Sequence, residues 1–313
     1  MSTNAAVASA VISTRDRERG HLRRVSAGYI LFATLILALL VHGFDYYKLG
    51  SADRPFSPKH AALRPSGAIG VKLGILGFAM FLIIFLYPLR KRWKWLGQQG
   101  TSKHWLDFHV MLGISAPFVI AFHASFKFAG FAGIAFWIMV SVSLSGIVGR
   151  YLYGQIPRSL NAAELSRKEI QEIHEQLAQQ LGSQKLFPAS DLRSLLYLPS
   201  QDRVDRWPAL FALLYMLALD AARPLRIARL RRRALGFGEI VTTLGGLMPT
   251  RHIDLEKAIA TAREDAALSK RILFLSRTQQ VFNLWHVVHK PFSYSFAVLA
   301  LIHVVVVMMM GYF

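Results

Sequence analysis

HVMLGISAPFVIAFH, residues 109–123, and HKPFSYSFAVLALIH, residues 289–303, are two apolar stretches that each begin and end on histidine, and in both the histidines stand fourteen residues apart. On an α-helix fourteen residues is just under four turns. The two imidazoles of a stretch therefore fall within about 40° of one another on one face and about 21 Å apart along the axis. Two such helices side by side present four imidazoles at two levels. The chain holds eleven histidines, too few for two pairs at one separation to be the expectation from composition. An ionisable side chain inside a membrane span is also costly and marks a functional position.

Composition supports the span reading. Hydrophobic residues make up 53% of the chain and the mean hydropathy is +0.35, outside the range of soluble domains. The fold class expected is all-α, an integral membrane helical bundle with about five transmembrane helices and a helical cytoplasmic insertion. The absence of cysteine excludes disulfides, iron–sulfur clusters and covalently attached haem, each of which needs a thiol. The net charge of +19 sits beside the apolar stretches, where anionic headgroups and the positive-inside bias account for it. Membrane lipid is thus the expected partner of the basic residues, and nucleic acid is not.

Five spans can be drawn, over about 25–44, 69–86, 105–126, 131–153 and 282–313, each near the length that crosses about 30 Å of hydrocarbon. Residues 1–24 carry Arg15, Asp16, Arg17, Glu18 and Arg19 after a short run of small residues. They read as a solvated tail rather than a signal peptide. Arg90, Lys91, Arg92, Lys94 and Lys103 lie between spans two and three without a carboxylate among them, up to the third span, which makes that loop cytoplasmic. The N-terminus is then cytoplasmic too, in what the pattern suggests is a bacterial inner membrane, and the domain order is tail 1–24, spans one to four over 25–153, insertion 154–277 and span five over 278–313. Spans three and five run parallel in this topology, setting His109 level with His289 and His123 level with His303.

Within the insertion, the apolar run 207–222 is short for a span and holds Pro208 and Asp220. Arg203 and Arg206 precede it, and Arg223, Arg226, Arg229, Arg231, Arg232 and Arg233 follow, so crossing would strand one cationic cluster on the wrong side. An interfacial or buried helix is expected instead; were it to cross, His109 would pair with His303 and His123 with His289. Asn161 with Glu164 reads as a capping box opening a helix that keeps its period through Leu181, and a second amphipathic run covers about 254–275. No dinucleotide or phosphate-loop motif appears.

Two imidazoles at each of two depths suit two non-covalent b-type haems, each iron held on both faces by neutral histidine and so fitted for electron transfer rather than oxygen chemistry. His109 with His289 and His123 with His303 are the candidate ligands. Gly113 and Gly146, with Ser141, Ser145, Gly149, Gly70, Gly74 and Gly77, are candidates for close approach to a macrocycle, ordinary small-residue helix packing being the alternative for each. Arg150, Lys290 and Tyr153 on the cytoplasmic side and Lys127 on the outer side could meet haem propionates, or serve as snorkelling residues at span ends. His286, one turn before His289, points off the common face and suits a structural hydrogen bond or a contact at the haem edge, as does His104. His42 closes span one as an interfacial histidine or as a proton-accepting group.

The H-x13-H spacing on two helices, with the basic Arg90–Lys91–Arg92 turn before the first pair, resembles the di-haem cytochrome b architecture shared by ferric reductase-like membrane domains and quinol-oxidising cytochromes b. The resemblance covers spans two to five, and the paired spacing carries it. It implies a helical bundle passing electrons across the membrane between two b haems. The sequence departs from the flavin-bearing reductases by ending directly after the last span. The expected donor is therefore another subunit, a soluble carrier or a quinol on the cytoplasmic side, with a carrier or quinone outside. Three functions stay open: an electron-transfer subunit, a quinol or quinone oxidoreductase subunit, and a haem-free transporter or scaffold whose histidines serve protons or helix contacts.

Overall fold

The structure, a computed structural model, describes residues 2–156, 198–235 and 237–311. The capping pair Asn161 and Glu164 and the periodic run over 165–181 lie outside the described residues. Among the described residues every regular element is a helix. The long ones are α1 (Ser2–Tyr47), α2 (Ala68–Arg90), α3 (Ser102–His123), α4 (Gly130–Gln155), α5 (Ala209–Ala234), α6 (Ile253–Leu273) and α7 (Leu275–Met309). Five segments, Asp16–Tyr47, His60–Arg90, Ser102–His123, Gly130–Gln155 and Leu275–Met309, are long and apolar enough to cross a membrane. The chain is thus an all-α protein with the helices of a multi-pass membrane protein. Their outward faces carry Ile30, Leu37, Val41, Leu82, Phe118, Trp137, Val298 and Val305, all exposed, as lipid-facing positions require.

The chain divides into two compact units, Met1–Arg150 with Val287–Phe313, and Tyr151–His286. In the first, α2 and α3 are closely paired and α1 packs along α3. Leu73 and Met80 of α2 meet Met111, Leu112, Ala116, Val119 and Phe122 of α3 in one core, joined by Leu39, Phe136 and Met139. Close approach is bought by glycine: a Cβ on Gly77 would sit 2.2 Å from Ile120 Cδ1, and one on Gly28 2.3 Å from Met111 Sδ. α1 also continues through residues 2–24, the stretch the sequence suggests is a tail, because it is rich in alanine and other helix formers and holds no proline.

α3 opens at Thr101, whose hydroxyl accepts the His104 amide at 3.3 Å, and closes three residues before the sequence pattern predicts. After His123, Ser125 and Phe126 take left-handed backbone (φ 48° and 59°), which no longer continues a helix and costs about 1 kcal/mol or more per non-glycine residue. A buried arginine holds that turn. Arg54 donates to the Leu49 carbonyl at 3.1 Å, the Tyr47 carbonyl at 3.0 Å and the Ser125 carbonyl, while Ser125 Oγ donates to the Leu63 carbonyl at 2.5 Å. At the other end, buried Arg90 donates to Ser102 Oγ and to the Gly97 and Gly100 carbonyls, each at 2.8 Å. This basic residue of the second loop is therefore a structural stitch.

In the second unit, α5 and α6 bury Ile227, Leu230, Leu255, Ile259 and Ala262, and the first half of α5 buries Ala212, Met216 and Leu219 with Phe274. Arg231 holds Glu256 through two bonds, at 2.8 and 2.6 Å. Burial alone would raise the Glu256 carboxyl, but Arg231 and the Thr250 amide hold it below the usual range.

Replacing Arg54 with Met keeps apolar volume but strands three carbonyls, so Arg54→Met is expected to lower stability by about 2–4 kcal/mol. A Tm in detergent equal to that of the parent would refute the stitching role.

Candidate functional site

The four spaced histidines lie on two helices, His109 and His123 on α3 and His289 and His303 on α7. Three of the four rings are anchored at Nδ1. His109 Nδ1 lies 3.0 Å from the Ile84 carbonyl and His123 Nδ1 2.9 Å from the Gly70 carbonyl. A carbonyl only accepts, so both nitrogens carry the proton and the lone pair is left on Nε2, the tautomer that histidine ligands of metals adopt. The two acceptors on α2 stand fourteen residues apart, matching the two donors on α3.

The Ile84 carbonyl is available for a local reason. Its helical partner would be the amide of residue 88, which is Pro88 and has no N–H. At the other end, access to Gly70 depends on glycine: a Cβ on Gly74 would fall 2.8 Å from His123 Cε1. Gly70, Gly74 and Gly77 are filled against by Arg64, His123 and Ile120 respectively, so these three serve helix packing and histidine placement.

On α7, His289 Nδ1 is 2.7 Å from Ser145 Oγ of α4, and that hydroxyl is 2.8 Å from the Val142 carbonyl. A hydroxyl both donates and accepts, so Ser145 anchors the His289 ring through Nδ1 and leaves Nε2 as the nitrogen away from that contact. Ser293 Oγ donates to the His289 carbonyl at 2.7 Å, two residues beyond Pro291 in the helix.

His123 and His303 are brought together edge to face, their ring centres 6.4 Å apart and their planes at 75°. Two imidazoles sharing one metal, each about 2.0–2.1 Å away and with its ring centre about 1.1 Å beyond the ligating nitrogen, would be separated by about 6.3 Å. The donor types and the ring separation therefore fit one metal shared by two imidazoles. Among the described residues no group of three or more His, Cys, Asp or Glu side chains is placed to hold a metal ion. A Cβ on Gly113 would meet nothing within 4 Å, and one on Gly146 would only graze His289 Cε1 at 3.9 Å. The Gly113 carbonyl itself accepts from Ser143 Oγ at 2.8 Å, tying α3 to α4.

His109 also lines a cavity of about 390 Å³ with Tyr87, His104, Trp105, Phe108 and His21. Two of its lining residues, His21 and His104, belong to a polar cluster that the spacing pattern does not reveal. Buried His21 donates to Asp107 Oδ2 at 3.0 Å, Arg150 donates to Asp107 Oδ1 at 2.8 Å, and the His21 ring stacks on His104 at 3.8 Å. Lys103 and His104 meet Glu18. The available signal was Asp107, the one carboxylate of α3, two residues before His109. Arg150 thus has a carboxylate partner, while Lys290 is exposed at the surface of α7. His286 belongs to the second unit, where its Nδ1 lies 3.2 Å from the Phe282 carbonyl and its ring meets Phe282 and Trp285 edge-on. The side chain of His42 is exposed, and its carbonyl accepts from Lys59.

Gly74→Ala, by driving a methyl into the His123 ring, is expected to cost about 1–3 kcal/mol. Gly113→Ala is expected to be neutral or to stabilise by up to about 1 kcal/mol; denaturation of both variants in detergent checks the contrast, and equal effects would contradict it. Compared with protein-family models, curated proteins and solved structures, this chain matches none.

Proposed function

We propose that the chain is a di-haem cytochrome b of the membrane, moving electrons between a donor or partner subunit on the cytoplasmic side and an acceptor on the outer side, or the reverse. His123 and His303 hold one haem b, and His109 and His289 the other. The observation that carries this reading is the His123–His303 couple, 6.4 Å between ring centres at 75°. Bound haem iron would supply the one-electron chemistry, alternating between ferric and ferrous states.

The chain's residues supply placement. The carbonyls of Ile84 and Gly70 fix two imidazoles in the ligating tautomer, and the hydroxyl of Ser145 anchors a third ring. The apolar walls of α2, α3 and α4 exclude water, which favours conduction over side reactions. The fourteen-residue spacing on both helices sets the two sites about 21 Å apart along the axis, so that together they bridge a depth one site cannot. A second reading, oxidation of quinol or reduction of quinone, is favoured by the aromatic-walled cavity next to His109 with its buried His21–Asp107 pair.

Anaerobic haem stoichiometry and a reduced-minus-oxidised spectrum test the reading. The parent is expected to carry two haems, and His303→Ala or His123→Ala one, with the remaining spectrum intact; His286→Ala is expected to keep both. A preparation without Soret absorbance after haem-supplemented expression, or loss of a full haem equivalent in His286→Ala but not in His289→Ala, would overturn it. Haem reduction by quinol that is lost in His21→Ala, with both haems retained, would favour the second reading.

A further inference from the structure

Four cations converge on one narrow cleft of the second unit. Arg223 and Arg226 come from α5 and Arg263 and Lys270 from α6, between apolar walls of Leu198, Leu219, Ile227 and Ala266. The spacing places them there: 219, 223, 226 and 227 share one face of α5, and 263, 266 and 270 share one face of α6.

Charge in the cleft is unbalanced. Asp220 is engaged three ways, by Lys270 at 2.5 Å, Arg223 at 2.9 Å and the Tyr151 hydroxyl at 2.8 Å. Arg226, half-buried, and Arg263 have no carboxylate partner among the described residues, and neighbouring Glu264 is exposed without pairing to either. Burial pushes the Lys270 ammonium below its ordinary range, Asp220 restoring part of the loss and Arg223 and Arg271 adding to it. Arg226, half-buried and without a counter-charge, together with exposed Arg263 creates an anion site, and arginine's fork suits phosphate oxygens.

The opposite face of α5 indicates the source of that anion. Leu210, Leu214, Leu217 and Leu225, with Phe211 beside them, form an exposed stripe along the helix. An apolar stripe opposite a basic face is the pattern of a helix lying in a lipid interface, where phosphate groups and acyl chains are found together. We infer that the cleft between α5 and α6 binds the phosphate headgroup of an anionic phospholipid, through Arg226 and Arg263 with Arg223 and Lys270 behind them. This site is independent of the haem reading and survives or fails without it.

The full chain, purified in detergent, is titrated with phosphatidylglycerol, with phosphatidylcholine and with inorganic phosphate, and bound copies are counted by native mass spectrometry. One tightly retained phosphatidylglycerol is expected, with phosphatidylcholine at least about tenfold weaker and no competition from millimolar phosphate. Arg226→Gln with Arg263→Gln is expected to weaken retention about tenfold. Arg229→Gln with Arg232→Gln removes the same charge outside the cleft and is expected to change it less than about twofold. Should the cleft pair not fold, Arg226→Gln alone carries the test, with an expected loss of about threefold. Equal weakening by the two pairs, or none by the cleft pair, would overturn the site. Competition by inorganic phosphate as strong as that of lipid would overturn the lipid as its occupant.

Discussion

An imidazole N–H in hydrocarbon needs an acceptor, because an unsatisfied polar group there costs several kcal/mol. The pairing of α2 with α3 meets that need twice, at Ile84 and at Gly70. The same two bonds fix the tautomer, the ring direction and the depth of His109 and His123. Most of what is distinctive in the first unit serves them: Pro88 removes a competing amide, Gly74 makes room for a ring, and the apolar contacts of Met80, Val119 and Phe122 keep the helices at that distance.

Each end of this helix pair is then held by an arginine bound to backbone carbonyls. Arg54 gathers the turn that follows His123, and Arg90 gathers the turn that precedes His109. A guanidinium is well suited to this, since its five donors reach several carbonyls without losing charge. Ser125 and Phe126 can hold left-handed backbone because Arg54 and Leu63 over-determine their position. The rigid frame at the outer ends complements a middle that is apolar and tightly packed.

Hydropathy and histidine spacing made the helices and the four rings legible before any coordinates. Residues 109, 123, 289 and 303 repeat at a helical period, and period is a local property. The carbonyl partners were not legible, because a side chain reaching a neighbouring helix's backbone depends on the pairing of helices far apart in sequence. Pro88, four residues after Ile84, was the single local trace. The close of α3 was drawn three residues late, since Ser125 and Phe126 carry none of the glycine or asparagine signature of left-handed backbone. The His21, Asp107 and Arg150 cluster joins α1, α3 and α4, and no one-dimensional pattern relates those three positions. The glycines of α2 abut protein atoms, backbone carbonyls of Arg64 and Pro65 at Gly70, the His123 ring at Gly74 and Ile120 at Gly77, and these neighbours too depend on chain segments that no local pattern relates.

The equal intervals 70–84, 109–123 and 289–303 behave as three matched rulers. Adding or deleting one residue inside any of them would swing one end about 100° around its helix while leaving the other end in register. Length variation in descendants of this chain should therefore be confined to the turns, such as 91–101 and 124–129, whereas the ruled intervals can change in composition but not in count.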